Sequence, residues 1–178
     1  SLFAKYWIYT DLTSSELYTL SDEARTLLNS DLIKNDIEIK FAIPEDTIAK
    51  SSRMLMIYSC ANAYAEASKD LEHKITVNCY DAYLYPSEFA DYKTLAGGEW
   101  SDTNVVVESS NGTPIVYTMK SFFTTDSETG KELGFSGERK FLSALLCMTM
   151  VSSILAGCGS ADQSVETPDG ETIENAQT

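Results

Sequence analysis

Apolar positions along this chain change period several times, and each change marks an element. Ile37, Ile39, Phe41 and Ile43 alternate with Glu38, Lys40 and Ala42, the pattern of a strand with one buried face, and Pro44 ends it. From Glu45 to about residue 69 the period lengthens. Met54, Ile57, Tyr58, Ala61, Tyr64 and Ala65 form one stripe of a long helix, whose other face carries Lys50, Arg53 and Glu66. Strand alternation returns with Ile75, Val77 and Cys79 against Thr76, Asn78 and Tyr80. A strand, a helix and a strand in this order predict a right-handed crossover between parallel neighbours.

The flanks extend the pattern. Ser21 is an N-cap ahead of Asp22 and Glu23, and Leu20, Ala24, Leu27 and Leu28 keep helical spacing, so a helix is expected over about 22–30. Pro86, Ser87 and Glu88 start another, with Phe89, Tyr92 and Leu95 on one face until Gly97-Gly98 ends it. Val105–Val107 and Ile115–Tyr117 flank Asn111-Gly112, the pair that suits a two-residue type I′ hairpin turn. A closing helix is expected from Gly137-Glu138 to near Ser152, carrying Phe141, Leu142, Ala144, Leu145, Leu146, Cys147 and Met148. From residue 37 the order is β-α-β-α-β-β-α. It predicts an α/β, thioredoxin-like core whose mixed sheet sets a parallel pair beside a hairpin, with helices on both faces. Residues 1–20 read as a lead-in with no signal or membrane-spanning segment, 21–152 as the domain, and 153–178 as an acidic, disordered tail.

Charge narrows the partners. Lys and Arg number 13 against 27 Asp and Glu, a formal net charge of −14, so nucleic acid and anionic lipid surfaces are repelled at long range. Cys60, Cys79, Cys147 and Cys158 form neither a C-x-x-C pair nor zinc spacing, and the first three read as small buried hydrophobes whose disulfide status is open. In redox proteins of thioredoxin-like fold, reactive cysteines stand where the first core strand meets its helix, since the helix N-terminus stabilises a thiolate. Here that position reads Pro44-Glu45-Asp46-Thr47, and Asp102-Thr103-Asn104 precedes the hairpin where those proteins carry a cis-proline. His73 stands in a charged connection, no Gly-x-Ser-x-Gly elbow presents a serine, and no glycine loop for phosphate or cofactor is present. The expectation is a protein without catalytic residues, metal or cofactor. The constellation left is a weak ligand site. Asp81, Tyr83, Trp100 and Asp102, with further carboxylates at Glu88, Asp91 and Glu99, have the chemistry of a sugar or cation site, against a plain reading as solvated loop charge beside aromatics that cover a sheet edge.

Asp11-Leu12-Thr13, Tyr18-Thr19-Leu20-Ser21, Ile37–Phe41, Phe135-Ser136-Gly137-Glu138 and Leu142–Leu146 together resemble the extracytoplasmic region of GldG-like auxiliary proteins of ABC transporters, over about residues 8–150. The resemblance implies a non-enzymatic accessory domain outside the bacterial cytoplasmic membrane. Its partners would be the permease and ATPase components of a gliding- or export-associated system, with membrane attachment supplied by segments outside this chain. No catalytic residue is carried over. Separately, Arg139-Lys140, the apolar run after them and Leu155-Ala156-Gly157-Cys158 resemble a bacterial lipoprotein signal with its lipobox, which would make Cys158 a lipidation site and the chain a cell-envelope substrate-binding module. Such signals act at N-termini, and Lys140–Gly157 is short and rich in Ser and Thr beside the ~20 apolar residues of a membrane span, so a buried closing helix is the expectation here.

Overall fold

The computed structural model describes residues 18–30 and 33–157, with side chains as far as Thr149. The lead-in before Tyr18 and the tail from Cys158 onward lie outside the described residues, while residues 153–157, expected to belong to a disordered tail, are helical. The chain is mixed α/β, built on a four-stranded sheet in the order β2-β1-β3-β4. Strand β1 (Ile37–Phe41) pairs parallel with β2 (Ile75–Cys79) and antiparallel with β3 (Val105–Ser109), which pairs antiparallel with β4 (Ile115–Tyr117). Helix α1 is Asp22–Leu28, and the Ser21 hydroxyl accepts from the Ala24 N–H as its N-cap.

The single long helix expected after β1 is two helices. Glu45–Ile48 forms one turn, α2, and Ser52–Ser68 forms α3. The break falls at Ser51, whose backbone is extended and whose hydroxyl accepts from Met54 N–H as the N-cap of the second helix. Leu55, Cys60 and Ala63 join the expected stripe in the core, because α3 is enclosed by the sheet, α1 and the long C-terminal helix α5 (Gly137–Gly157). Helix α5 runs past the expected end at Ser152 to Gly157, and among the described residues no helix is long and apolar enough to cross a membrane.

The two faces of the sheet differ. Ile37, Ile39, Phe41, Ile75, Val105 and Val107 point into the main core with α1, α3 and α5. Tyr64 and Phe141 meet edge-on at 5.9 Å there, and Phe122 packs on Phe141 at 5.3 Å. On the opposite face Val106 and Ala42 lie under Phe89 and Tyr92, from a 3-10 turn (Pro86–Phe89) and the short helix α4 (Ala90–Leu95). Val105–Val107 is therefore apolar throughout because β3 is covered on both faces at that point.

Two further corrections concern hairpins and a cysteine. Glu108 and Ser109 continue to pair with Glu38 and Ile37 after β4 has begun its return at Ile115, so the β3–β4 connection is longer than a two-residue turn. Positive φ occurs at Gly97, Gly98 and Gly130 and not at Gly112. Gly112 is small for another reason: a Cβ there would stand 2.9 Å from Met148 Sδ on α5. A second hairpin, β5 (Phe123–Thr125) with β6 (Glu132–Phe135), fills a stretch to which no element was assigned. Its turn is organised by Asp126, whose carboxylate accepts from Glu128 and Thr129, and by Gly130 at φ +66. Cys60 is buried and Cys79 half-buried, but Cys147 is exposed on the solvent side of α5, and all three are free.

Candidate functional site

Parallel strands deliver their neighbouring loops to one edge, where α/β proteins place ligands. In this chain the carboxyl ends of β1 and β2 lead into residues 42–46 and 80–85, and the strand-like pairing runs two residues further through Tyr80 N–H to Phe41 O (2.9 Å) and Ala82 N–H to Ala42 O (3.1 Å). Glu45, Tyr58 and Cys79 are neighbours at this edge. Burial pushes the Cys79 thiol up to about 11 and the Tyr58 hydroxyl up to about 12, so neither is ionised at neutral pH. Deep in the core, burial likewise pushes Cys60 up to about 12.

The next segment is fastened to the sheet by a polar knot. Lys40 ion-pairs with Glu108 across β1 and β3 and with Glu38 at 3.6 Å on its own strand, and donates to the Tyr92 hydroxyl at 3.0 Å. Tyr92 in turn donates to Glu108 at 2.6 Å, while Tyr80 and Asn78 each donate to Glu38 at 2.7 Å. Burial alone would lower the Lys40 pKa, but Glu108, Tyr92 and Glu38 outweigh it and hold it above the ordinary lysine range. For Glu38, burial works to raise the pKa, and the bonds from Tyr80 and Asn78 with the charge of Lys40 bring it below the ordinary carboxylate range. Above the knot, Phe89 touches Tyr80, Tyr92 and Trp100 at 5.9, 5.7 and 5.6 Å. Sheet polarity and aromatic stacking together fix where residues 80–100 lie.

On that base the β2–α4 connection presents an apolar tip. Asp81 Oδ1 accepts from Tyr83 N–H (3.0 Å) and Leu84 N–H (3.2 Å), and its carbonyl accepts from Tyr85 N–H (2.9 Å), which closes a tight turn. The turn holds Tyr83, Leu84 and Tyr85 outward at 93%, 65% and 58% exposure. Three successive large side chains in solvent, on a turn that is hydrogen-bonded rather than loose, form a surface for contact. The same segment carries Asp81, Glu88, Asp91, Glu99 and Asp102 against Lys93 alone.

The residues singled out from sequence divide into separate jobs. Asp81 builds the turn, Tyr83 is displayed by it, Trp100 is half-buried against Phe89, and Asp102 is exposed beside Ser101, which donates to it at 3.3 Å. No hydrogen bond joins these four side chains to one another. Leu84 and Tyr85 were not singled out as apolar display residues, although their place beside Tyr83 before Pro86 is a readable signal. His73 sits half-buried in its connection, 3.8 Å from Asp36. Among the described residues no three His, Cys, Asp or Glu side chains converge as a metal ion would require. Asn104, 1% exposed just before β3, leaves its Nδ2 without a hydrogen-bond partner.

A second feature links segments far apart in sequence. Glu138, in the first turn of α5, accepts from Tyr18 Oη (3.2 Å), from Ser21 N–H (3.2 Å) and from the Ser21 hydroxyl. Phe135 packs edge-on against Tyr18 at 5.9 Å, and Tyr64 donates to the Glu138 carbonyl at 3.0 Å. The Tyr18–Ser21 and Phe135–Glu138 segments are thus one contact. The chain matches no protein-family model, no curated protein and no solved structure.

Proposed function

We propose that this chain is a non-catalytic accessory domain of a bacterial ABC-type transport system, of the GldG-like kind, working on the extracytoplasmic face of the cytoplasmic membrane. In this reading the fold is thioredoxin-like: a β-α-β unit, a connecting helix, a hairpin and a closing helix. The parallel β1–β2 pair beside the antiparallel β3–β4 pair supports it. So does the meeting of Tyr18, Ser21, Phe135 and Glu138, which gives the family-like segments one physical reason to occur together.

The observation that carries the function is the Asp81 turn. At the sheet edge where redox proteins of this topology keep their cysteines, the chain displays Tyr83, Leu84 and Tyr85 instead, a surface suited to a protein partner. The partners in this reading are permease and ATPase components of the same system. A photo-crosslinking residue at position 84 of the full-length membrane protein should capture the permease, and Asp81→Ala, which loosens the turn, should reduce the yield severalfold. Crosslinks that never include a transporter component would overturn the reading.

A further inference from the structure

A groove of about 390 Å³ runs between the first two turns of α5 and the edge formed by β5 and the 3-10 turn before it. It is lined by Arg139, Lys140, Ser121, Thr124, Ser136 and Ser143, with the Phe123 ring at one side. Its volume falls in the range of small-molecule sites, about 300–1,000 Å³. Its composition runs against the rest of the chain. With 27 acidic residues to 13 basic ones, the groove holds two cations and no carboxylate.

The cations carry no carboxylate. Lys40, Arg53 and Lys69 are held by Glu108, Glu132 and Glu66, whereas neither Arg139 nor Lys140 has a carboxylate partner among the described residues. Glu138, their neighbour in sequence, is turned away to Tyr18 and Ser21. Ser121 and Thr124 already donate to the carbonyls of Thr118 and Gly134, but the hydroxyls of Ser136 and Ser143 are not so used. Arg139, Lys140 and Ser143 lie within the first two turns of α5, with Arg139 and Ser143 four residues apart on one face, and Ser136 immediately precedes the helix, so these donors line the same groove. An arginine fork, an ammonium and two hydroxyls on one wall are the complement of a phosphoryl oxyanion, which carries acceptors and no donors. The Lys140 ammonium lies over the Tyr117 ring at 5.5 Å, a cation–π contact that holds it in place at the edge of the groove.

We propose that this groove binds the phosphoryl group of a small phosphorylated ligand. Arg139 takes two of the oxygens, Lys140 a third, and the Ser136 and Ser143 hydroxyls complete the shell. A phospholipid headgroup offers the same chemistry, but the net charge of −14 opposes approach to an anionic bilayer, which favours a soluble ligand.

The test uses the full chain, inorganic pyrophosphate as probe, and vesicles of phosphatidylglycerol against phosphatidylcholine. Amide and side-chain NMR shifts should concentrate on residues 121–124 and 136–143, with affinity falling at least tenfold in R139Q/K140Q and as salt rises. Because Lys140 packs on Tyr117, S143E serves as a second variant: it sets a carboxylate in the groove at an exposed position and should abolish binding with the fold intact by circular dichroism. Phosphatidylglycerol binding that both variants abolish would assign the headgroup as the source and keep the site. Absence of pyrophosphate and vesicle binding, shifts spread over lysines elsewhere, or affinity unchanged in both variants would overturn the proposal.

Discussion

Replacing Lys40 by Met tests whether the polar knot fixes the displayed loop. Methionine keeps an unbranched stem between Tyr80 and Tyr92, whose rings the Lys40 ammonium overlies at 5.7 and 5.5 Å, and removes the charge together with the hydrogen bond to the Tyr92 hydroxyl. Glu38 and Glu108 are direct cross-strand partners, so without Lys40 two carboxylates face each other on adjacent strands. A buried pair broken on one side costs about 3–5 kcal/mol, and an exposed pair about 0–1. The side chains here are 16% exposed for Lys40, 27% for Glu38 and 22% for Glu108. Partial access to water places the expected loss at about 2–3 kcal/mol. Its pH dependence follows from Glu38. An acid whose folded pKa is depressed contributes stability above the unfolded carboxylate range, near ~4.3, and loses that contribution as pH falls through the folded pKa. In Lys40→Met Glu38 loses the lysine charge that helps to lower its pKa and protonates more readily, so the deficit should be largest at pH 7 and shrink toward pH 4. Urea unfolding followed by circular dichroism and tryptophan fluorescence, to which Trp100 on Phe89 contributes, measures both quantities. Adding Glu108→Gln to Lys40→Met should return about 1 kcal/mol by removing one of the facing charges. A loss below about 0.5 kcal/mol, or an equal loss at both pH values, would refute the reasoning.

Other outcomes are expected elsewhere in the molecule. Glu138→Ala strands the Ser21 N–H and the Tyr18 hydroxyl, and should cost about 1–3 kcal/mol and speed hydrogen exchange over residues 18–30 while leaving β1 and β2 protected. Native-state alkylation at pH 7.5, read peptide by peptide, should label exposed Cys147 and spare Cys60 and Cys79, whose thiols burial pushes up to about 12 and about 11. Asn104→Leu replaces a buried donor that has no partner with an apolar group of similar size and should raise stability by about 1 kcal/mol in urea melts.

How much of this was readable beforehand depends on how local each signal was. The alternation at Ile37–Phe41 and Ile75–Cys79 carried the parallel pair, because one buried face per strand writes itself directly into the sequence. Asn111-Gly112 pointed to a hairpin but to the wrong turn. Glu108 and Ser109 are retained by β1, a tertiary pairing that lengthens the loop, and Gly112 lets the Met148 side chain approach closely rather than supplying a positive φ. The β5–β6 hairpin had its own signal in Asp126 and Gly130, yet its strands are short and exposed, so they lack the apolar alternation that marks a strand. At the site, Asp81 and Trp100 were noticed for their chemistry and turned out to hold structure, while the Lys40 knot stayed invisible. Its members come from β1, β2, β3 and α4, and each alone looks like a solvated polar position.

The distribution of cations ties the two surfaces together. In so acidic a chain, a lysine or arginine held by carboxylates serves the fold, as Lys40 and Arg53 do. Arg139 and Lys140 have no carboxylate partner among the described residues and border open space, with Lys140 also lying over Tyr117. The Asp81 turn combines apolar display with carboxylates and excludes a second copy of itself by like charge, whereas the α5 groove gathers unpaired cations and hydroxyls and excludes nothing acidic. They share no residue and draw on different elements. A turn variant that loses a protein partner and retains pyrophosphate, or a groove variant with the converse behaviour, would therefore report on one surface at a time. Loss of both from either substitution would instead point to damage in the sheet that supports them.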